Sequence, residues 1–322
     1  MKPGFGVWLV CLICGFAWLA PAQAQYPTRS IRFILPFPPG GGTDTMGRAI
    51  GNRLGEALGQ QIVIDNRGGG GANIGAELAA KSPPDGYTLF MMTGTHTVNA
   101  TLYRNLGYDL AKDFAPVSHL GGTAYVVVVH PSIPAKSVKE LIALVKSRPG
   151  EITHSSSGSG SGPHLAGELF KSMTGTKMLH VPYKGGGPSV IALVSGEAAV
   201  GFTTTPSCIF QIKAGRLRGL AVSSAQRSSF LPELPTVAEA GVPGYETTAW
   251  YGMAVPTGTP TEIIARLNAE TAKALTLPDV KSRLDATGMV PQSSSPEELG
   301  RHMHDEIAKW AKIVKALGLT VD

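Results

Sequence analysis

Four stretches of this sequence could gather backbone N–H groups around an anion. They are Pro36-Phe37-Pro38-Pro39-Gly40-Gly41-Gly42-Thr43-Asp44, Gly68-Gly69-Gly70-Gly71, Ser156-Ser157-Gly158-Ser159-Gly160-Ser161-Gly162-Pro163-His164 and Pro182-Tyr183-Lys184-Gly185-Gly186-Gly187-Pro188. A glycine has no Cβ, so successive N–H groups can converge on one point and the chain can approach a ligand closely. A helix that follows such a turn adds its positive end to the same place. After Asp44, apolar residues recur at Met46, Ile50, Leu54 and Leu58, which is the spacing of such a helix. Glycine makes up 40 of the 322 residues, and these stretches concentrate it. Flexible turns alone would explain one such stretch. Four of them after strands, two in each half, point to facing anion nests around one cleft.

Other chemistries fit the residues poorly. The glycines at 40–42 lack the Lys-Ser/Thr of a nucleotide loop, and Lys184 precedes its glycines where it should follow them. No G-x-S-x-G elbow surrounds Ser157, and His154 and His164 flank serines without a defined acid partner. His302 and His304 stand two apart on a helical stretch and point away from each other, a poor metal pair. Glu77, Glu168 and Glu197 show no paired-carboxylate spacing. Cys11 and Cys14 fall inside an apolar leader, which leaves Cys208 as a small semi-buried residue rather than a nucleophile. Trp250 and Tyr251 read as core or hinge packing. The sequence thus gives no catalytic residue, no metal ligand and no cofactor motif. A periplasmic hydrolase, or a sensor working with a membrane partner, remains the alternative.

These loops need a scaffold, and the chain alternates strand and helix to supply one. Lys2, the apolar run from Val7 to Ala20, and Ala22-Gln23-Ala24 read as a secretory signal over residues 1–24, with cleavage after Ala24. Its removal takes away Lys2 and no acid, leaving 27 basic residues against 23 acidic ones. That balance suits a small anion, and the absence of a Lys/Arg cluster argues against nucleic acid. Strands are expected at Ile31–Leu35, Gln61–Ile64, Tyr87–Met92, Phe114–Leu120, Ile152–Ser155, Met178–Val181, Ala198–Phe202 and Leu217–Val222. Thr93 to Asn99 reads as a polar loop. Tyr125–His130 and Ala249–Val255 read as strands crossing between two halves. Ser137-Val138-Lys139-Glu140, Thr259-Pro260-Thr261-Glu262 and Ser295-Pro296-Glu297-Glu298 are capping boxes. The pattern predicts an α/β protein whose parallel sheets carry helices on both faces, with ligand outside the carboxyl ends of the strands. The lobes expected are residues 25–124 with 249–322, and residues 125–248.

Several segments, in order, resemble one family. They are Pro36 to Asp44, Asp65-Asn66-Arg67-Gly68, Pro84-Asp85-Gly86-Tyr87-Thr88-Leu89, His180-Val181-Pro182-Tyr183-Lys184-Gly185, Leu234-Pro235-Thr236-Val237-Ala238-Glu239-Ala240-Gly241 and Trp250-Tyr251-Gly252. The family is the solute receptors of tripartite tricarboxylate transporters, also called Bug receptors, and the likeness runs through nearly all the chain after the signal. It implies a type II-like periplasmic-binding-protein fold: two lobes, each a mostly parallel sheet flanked by helices, with the ligand cleft between. It further implies a monomer that closes on a small organic carboxylate and delivers it to membrane permease subunits. By the same resemblance the first loop, Phe37, Pro39, Gly40, Gly41 and Gly42, takes a ligand carboxylate through backbone N–H groups, with Gly41 as the meeting point. Asp44 matches too, as ligand contact or as helix-start anchor. Thr95, His96 and Asn99 would line the cleft from the first lobe, and Ser157, Ser159, Gly160, Ser161 and His164 from the second, with Thr203, Thr204 and Thr205. That threonine triplet departs from the Asp-Asn-x-Pro-Ser expected in many members. Without the aspartate an amino-acid ligand loses the partner for its ammonium, so a di- or tricarboxylate or an aromatic acid is favoured.

Overall fold

Short β-branched and aromatic runs bounded by glycine or proline become strands, and most strands lead into a helix. The computed structural model describes residues 26–321. The expected signal at residues 1–24, its cleavage after Ala24, and Cys11 and Cys14 lie outside the described residues. Strands β1 (Ile31–Leu35), β2 (Ile62–Asn66) and β3 (Thr88–Thr93) form a parallel triplet with β1 in the middle. Helix α1 (Gly42–Leu58) follows β1, α2 (Asn73–Ala80) follows β2, and α3 (Gly94–Leu102) follows β3. In the second half β5 (Thr153–Ser156), β6 (Leu179–Pro182) and β7 (Val200–Thr204) repeat the parallel triplet around β5. Helices α5 (Gly162–Thr174), α6 (Gly186–Val194) and α7 (Thr205–Lys213) leave its strand ends, while α4 (Val138–Ser147) precedes β5.

Two long strands join the lobes. The expected pair Phe114–Leu120 and Tyr125–His130 is one continuous strand, β4 (Phe114–Val129). Gly121 and Gly122 lie within it at a bulge, where glycine lets the strand bend without ending. Between Ala124 and Tyr125 its pairing changes hands. Phe114 to Ala124 runs antiparallel to β9 (Thr248–Pro256), while Tyr125 to Val129 runs antiparallel to β7 on one side and β8 (Arg218–Val222) on the other. The strand β9 in turn pairs antiparallel with β3. Each lobe is therefore a mixed sheet rather than a mostly parallel one: a parallel triplet extended by antiparallel crossing strands, since a chain that enters and leaves a lobe must run back along it.

The remaining helices, α8 (Thr261–Thr276), α9 (Pro278–Asp285) and α10 (Pro296–Leu317), cover the first lobe, and β10 (Val290–Pro291) pairs with the bulge of β4. Trp310 and Val314 of α10 pack with Val98 and Leu102 of α3 and with Leu165 of α5, so this apolar cluster draws on both lobes. No helix among the described residues is long and apolar enough to cross a membrane.

Candidate functional site

The strand ends of both triplets face one another across the junction and line a half-open cavity of about 50 Å³. Residues from the starts of five helices line it: Gly42 and Thr43 of α1, Gly94 and Thr95 of α3, Pro163 of α5, Gly186 and Ser189 of α6, and Thr204 and Ser207 at the start of α7. Phe37, Phe202, Tyr125, Ala249, Trp250 and Tyr251 supply apolar and aromatic wall, and among the described residues no Lys, Arg, Asp, Glu or His side chain is in the lining. The helix starts give the cavity a positive character from backbone dipoles alone. Thr43 Oγ1 and Trp250 Nε1 are buried there without a hydrogen-bond partner, on side chains 3% and 5% exposed. Burial pushes the Tyr125 and Tyr251 phenols up, so both remain neutral donors.

The first loop is held from behind by its own acid. Gly40 N donates to Asp44 Oδ2 at 3.2 Å, and Arg48 Nε donates to Asp44 Oδ1 at 2.9 Å. Asn66 Nδ2, at the end of β2, reaches Phe37 O at 2.9 Å and Asp44 Oδ1 at 3.3 Å. Asp44 is a helix-start anchor, and the Asp65-Asn66-Arg67 segment ties the second loop to the first. Gly40 needs glycine for its φ of +89°. Gly42 needs it for space, because a Cβ there would stand 2.0 Å from the Tyr251 hydroxyl. Gly41 carries neither demand: its φ is −101° and a Cβ would meet only Gly186 N at 4.0 Å.

Of the residues singled out from sequence, Phe37, Gly41, Gly42, Thr95, Ser157, Thr203 and Thr204 line the cavity. The others sit around it. Pro39 and Gly40 are exposed on the rim, with the Pro39 carbonyl facing Gly187. The expected polar loop at Thr93–Asn99 is the start of α3, and the His96 ring is fully buried in a capping box with Thr93, accepting from Thr93 N at Nδ1 over 3.0 Å. Burial lowers its pKa to about 4, so the ring is neutral there. Asn99 Nδ2 donates to Gly71 O at 2.8 Å and Asn73 Oδ1 at 2.9 Å, which shapes the second glycine loop. Ser159 O accepts from the Tyr103 hydroxyl of the first lobe at 3.2 Å. Gly160 N donates to His164 Nδ1 at 3.1 Å, and Ser161 caps α5. Thr205 Oγ1 donates to Ala124 O at 2.9 Å, behind the cavity wall. His96, His164 and Ser161 are thus used by backbone N–H groups at the starts of their own helices, and Asn99 and Thr205 by carbonyls of other segments, before any ligand can claim them.

The acid missing beside His154 and His164 is Glu168. His154 Nε2 and His164 Nε2 both lie 3.5 Å from its Oε1, and Lys171 Nζ lies 2.6 Å away. Burial opposes ionisation of Glu168, but hydrogen bonds from His154, His164 and Lys171 hold its carboxyl well below the usual range. His180 stacks on His164 with centroids 4.0 Å apart and meets Ser156 Oγ at 2.7 Å. The histidine that touches a serine is not the one paired with the acid, so no Ser-His-acid relay forms here. Among the described residues no group could hold a metal ion.

Sequence reasoning missed Tyr125, Ser189, Phe202, Ser207, Trp250 and Tyr251 as cavity residues. The four aromatic ones lie on strands and read as core, which their burial bears out, whereas Ser189 and Ser207 sit near the starts of α6 and α7. The crossing strands β4 and β9, with β7, bring these aromatics to the helix starts. The capping spacing Thr93-x-x-His96 was a local signal that His96 would turn inward.

Residues 46–319 match the Tripartite tricarboxylate transporter family receptor. The chain is 38% identical to Protein BugT of Bordetella pertussis over 302 residues, covering 93% of each protein. It superposes on R. palustris Rpa4515 with adipate at a TM-score of 0.89, with 42% identity over 92% of this chain and 99% of that one. MatC from Rhodopseudomonas palustris with bound malate gives 0.86, with 30% identity over 90% of this chain and all (100%) of that one.

Proposed function

The chain belongs to the tripartite tricarboxylate transporter receptor family, whose members are solute-binding receptors rather than enzymes, and from that premise we propose that it captures a small organic carboxylate without an amine. The observation that carries this reading is a cavity where five helix starts converge and no charged side chain intrudes. Backbone dipoles and neutral hydroxyls stabilise an anion, while nothing is present to balance an ammonium. The adipate and malate held by the two similar structures are acids of this kind.

In this reading Phe37, Gly41, Gly42, Thr95, Ser157, Thr203 and Thr204 touch the ligand. Pro39, Gly40, Asp44, His96, Asn99, Ser159, Gly160, Ser161, His164 and Thr205 hold those groups in place. Residues 25–124 with 249–322 move as one body against 125–248, and the closed form is recognised by the permease of a tripartite transporter. The receptor works in the periplasm as a monomer, after loss of residues 1–24. A thermal-shift panel of di- and tricarboxylates, aromatic acids and amino acids tests the reading. An acid at a hundredfold excess over its Kd should add roughly 2.7 kcal/mol of stability. Stabilisation by amino acids alone, or chemical turnover of the stabilising acid, would overturn it.

A further inference from the structure

Three imidazoles stack in the second lobe. His180 of β6 lies between His164 of α5, with ring centroids 4.0 Å apart, and His154 of β5, at 4.8 Å. Glu168 stands one turn on from His164. Its Oε1 lies 3.5 Å from Nε2 of both His154 and His164, and 2.6 Å from Lys171 Nζ. Phe202 of β7 packs edge-on against His154, and Asn99 and the Tyr103 phenol approach from across the cleft. Lys171 balances the charge of Glu168, so none is left over to hold an imidazolium. Burial, with His164 and His154 close by, lowers His180 to about 3. The stack pins the loop that follows β5 at both ends. Gly160 N donates to His164 Nδ1 at 3.1 Å, while His180 Nε2 meets Ser156 Oγ at 2.7 Å and that oxygen accepts from Gly158 N at 3.2 Å. Between these pins Ser157 lines the cavity and Ser159 O takes the Tyr103 hydroxyl of the first lobe. A neutral imidazole carries one proton and accepts only at its other nitrogen. Because Gly160 N donates to Nδ1, the His164 proton sits on Nε2, the nitrogen beside Glu168.

We propose that Glu168 is a positioning residue for ligand capture. Its carboxylate fixes the His164 ring with the proton on Nε2, which leaves Nδ1 bare to hold Gly160 N and, with it, the loop that lines the cavity. Glu168 itself does not line the cavity. The His164 ring is only 7% exposed, so without an acceptor at Oε1 its Nε2 proton would be buried and unpaired. Turning the ring, or moving the proton to Nδ1, relieves that cost, and either change takes the acceptor away from Gly160. Gly160 cannot shift unnoticed. Its φ is +79°, and a Cβ there would meet Asn99 Oδ1 at 2.5 Å and Leu102 Cδ2 at 2.9 Å, both of the first lobe. The task of the loop is taken from the carboxylate-receptor reading, whereas the state of His164 stands independently of it.

Nitrogen NMR of the ligand-free protein at neutral pH, with amide hydrogen exchange, tests this. In the wild type, His164 shows a protonated Nε2 and a bare Nδ1, and the Gly160 amide is protected. Glu168→Leu combined with Lys171→Leu removes the acceptor and leaves no unpaired charge inside. In that variant the His164 nitrogens average between the two tautomers. Its Gly160 amide exchanges about tenfold faster, and adipate binds about tenfold more weakly in calorimetry, the loss of one hydrogen bond's hold on the loop. The Thr45 amide, which donates to Gly41 O in the first lobe, keeps its rate. Glu168→Gln, which retains an oxygen at the same place, falls between the two. A wild-type His164 with its proton on Nδ1 would overturn the proposal, as would a Gly160 amide that the double variant leaves at its wild-type rate. Equal acceleration at Gly160 and Thr45 would show that Glu168 only stabilises the fold at large. Should the double variant fail to fold, Glu168→Gln decides, since a Gly160 exchange rate equal to wild type refutes the role. If the wild type binds no carboxylate, the receptor reading fails, while the nitrogen spectra and Gly160 exchange still decide what Glu168 does.

Discussion

At the scale of single residues, the first loop separates glycines that are required from glycines that merely occur. Spacing marks Gly40, Gly41 and Gly42 alike, and the resemblance makes Gly41 the meeting point. The structure puts the steric demand one residue later, because Tyr251 arrives from a strand more than two hundred positions away and no local pattern encodes that. Gly42→Ala should displace the Tyr251 ring at a cost of about 1–3 kcal/mol and weaken ligand binding at least about tenfold, whereas Gly41→Ala should bind within a few-fold of wild type. Melting temperature and calorimetry on the pair check this, and equal losses in both variants would contradict it. A Cβ on Gly68 would likewise lie 2.5 Å from Pro38 Cδ and press on the first loop. Asp44 teaches the complementary lesson. An acid beside an anion site looks paradoxical in sequence, yet Gly40 N, Arg48 and Asn66 occupy both its oxygens.

At the scale of elements, alternation and capping boxes located nearly every strand and helix, because those signals are local. The misread stretch was Thr93–Asn99, where threonines, histidine and asparagine suggested a loop although Thr93 and His96 stand at capping-box spacing. That box makes α3 sensitive to acid. His96 Nδ1 must stay unprotonated to accept from Thr93 N, and burial lowers the ring to about 4. The unfolded chain, with its histidines near 6.5, then binds more protons than the folded one between about pH 6.5 and pH 4. Stability is therefore lost as pH falls through that window, by roughly 3 kcal/mol from His96 alone. Burial, with His164 and His154 nearby, lowers His180 to about 3 and deepens the same loss. The depressed Glu168 carboxyl adds its own loss only below its ordinary range, near pH 4.3. Melting temperatures should fall steadily from pH 6.5 to pH 4. His96→Gln, which keeps an acceptor at the capping position without a titrating ring, should flatten the slope. A variant slope equal to that of wild type would show that His96 does not set it.

At the scale of the whole molecule, the lobes stand closed on one another. Gly162 N donates to Thr95 Oγ1 across the cleft at 3.3 Å, the Tyr103 hydroxyl donates to Ser159 O, and Leu165 enters the cluster of Trp310 and Val314. Closure of this kind follows ligand only if the closed state binds it better than the open one. Gly71 is where that balance can be shifted without touching the cavity. A Cβ there would lie 2.4 Å from the Tyr103 oxygen and 2.6 Å from Ser159 O of the opposite lobe, so Gly71→Ala places a wedge in the closing contact. Its φ of +63° also strains an alanine, and Gly70, with a φ of +56° and only Asn73 and Ile74 nearby, isolates that second effect. Both alanine variants should lose about 1–2 kcal/mol of stability from the left-handed backbone. Gly70→Ala should still bind the ligand like wild type and contract on binding. Gly71→Ala should bind about tenfold more weakly and keep, at ligand concentrations that saturate the wild type, the larger radius of gyration of the ligand-free protein in small-angle X-ray scattering. If Gly71→Ala contracts and binds as Gly70→Ala does, the contact between the second glycine loop and Ser159 is incidental, and closure is governed by the strands β4 and β9 alone.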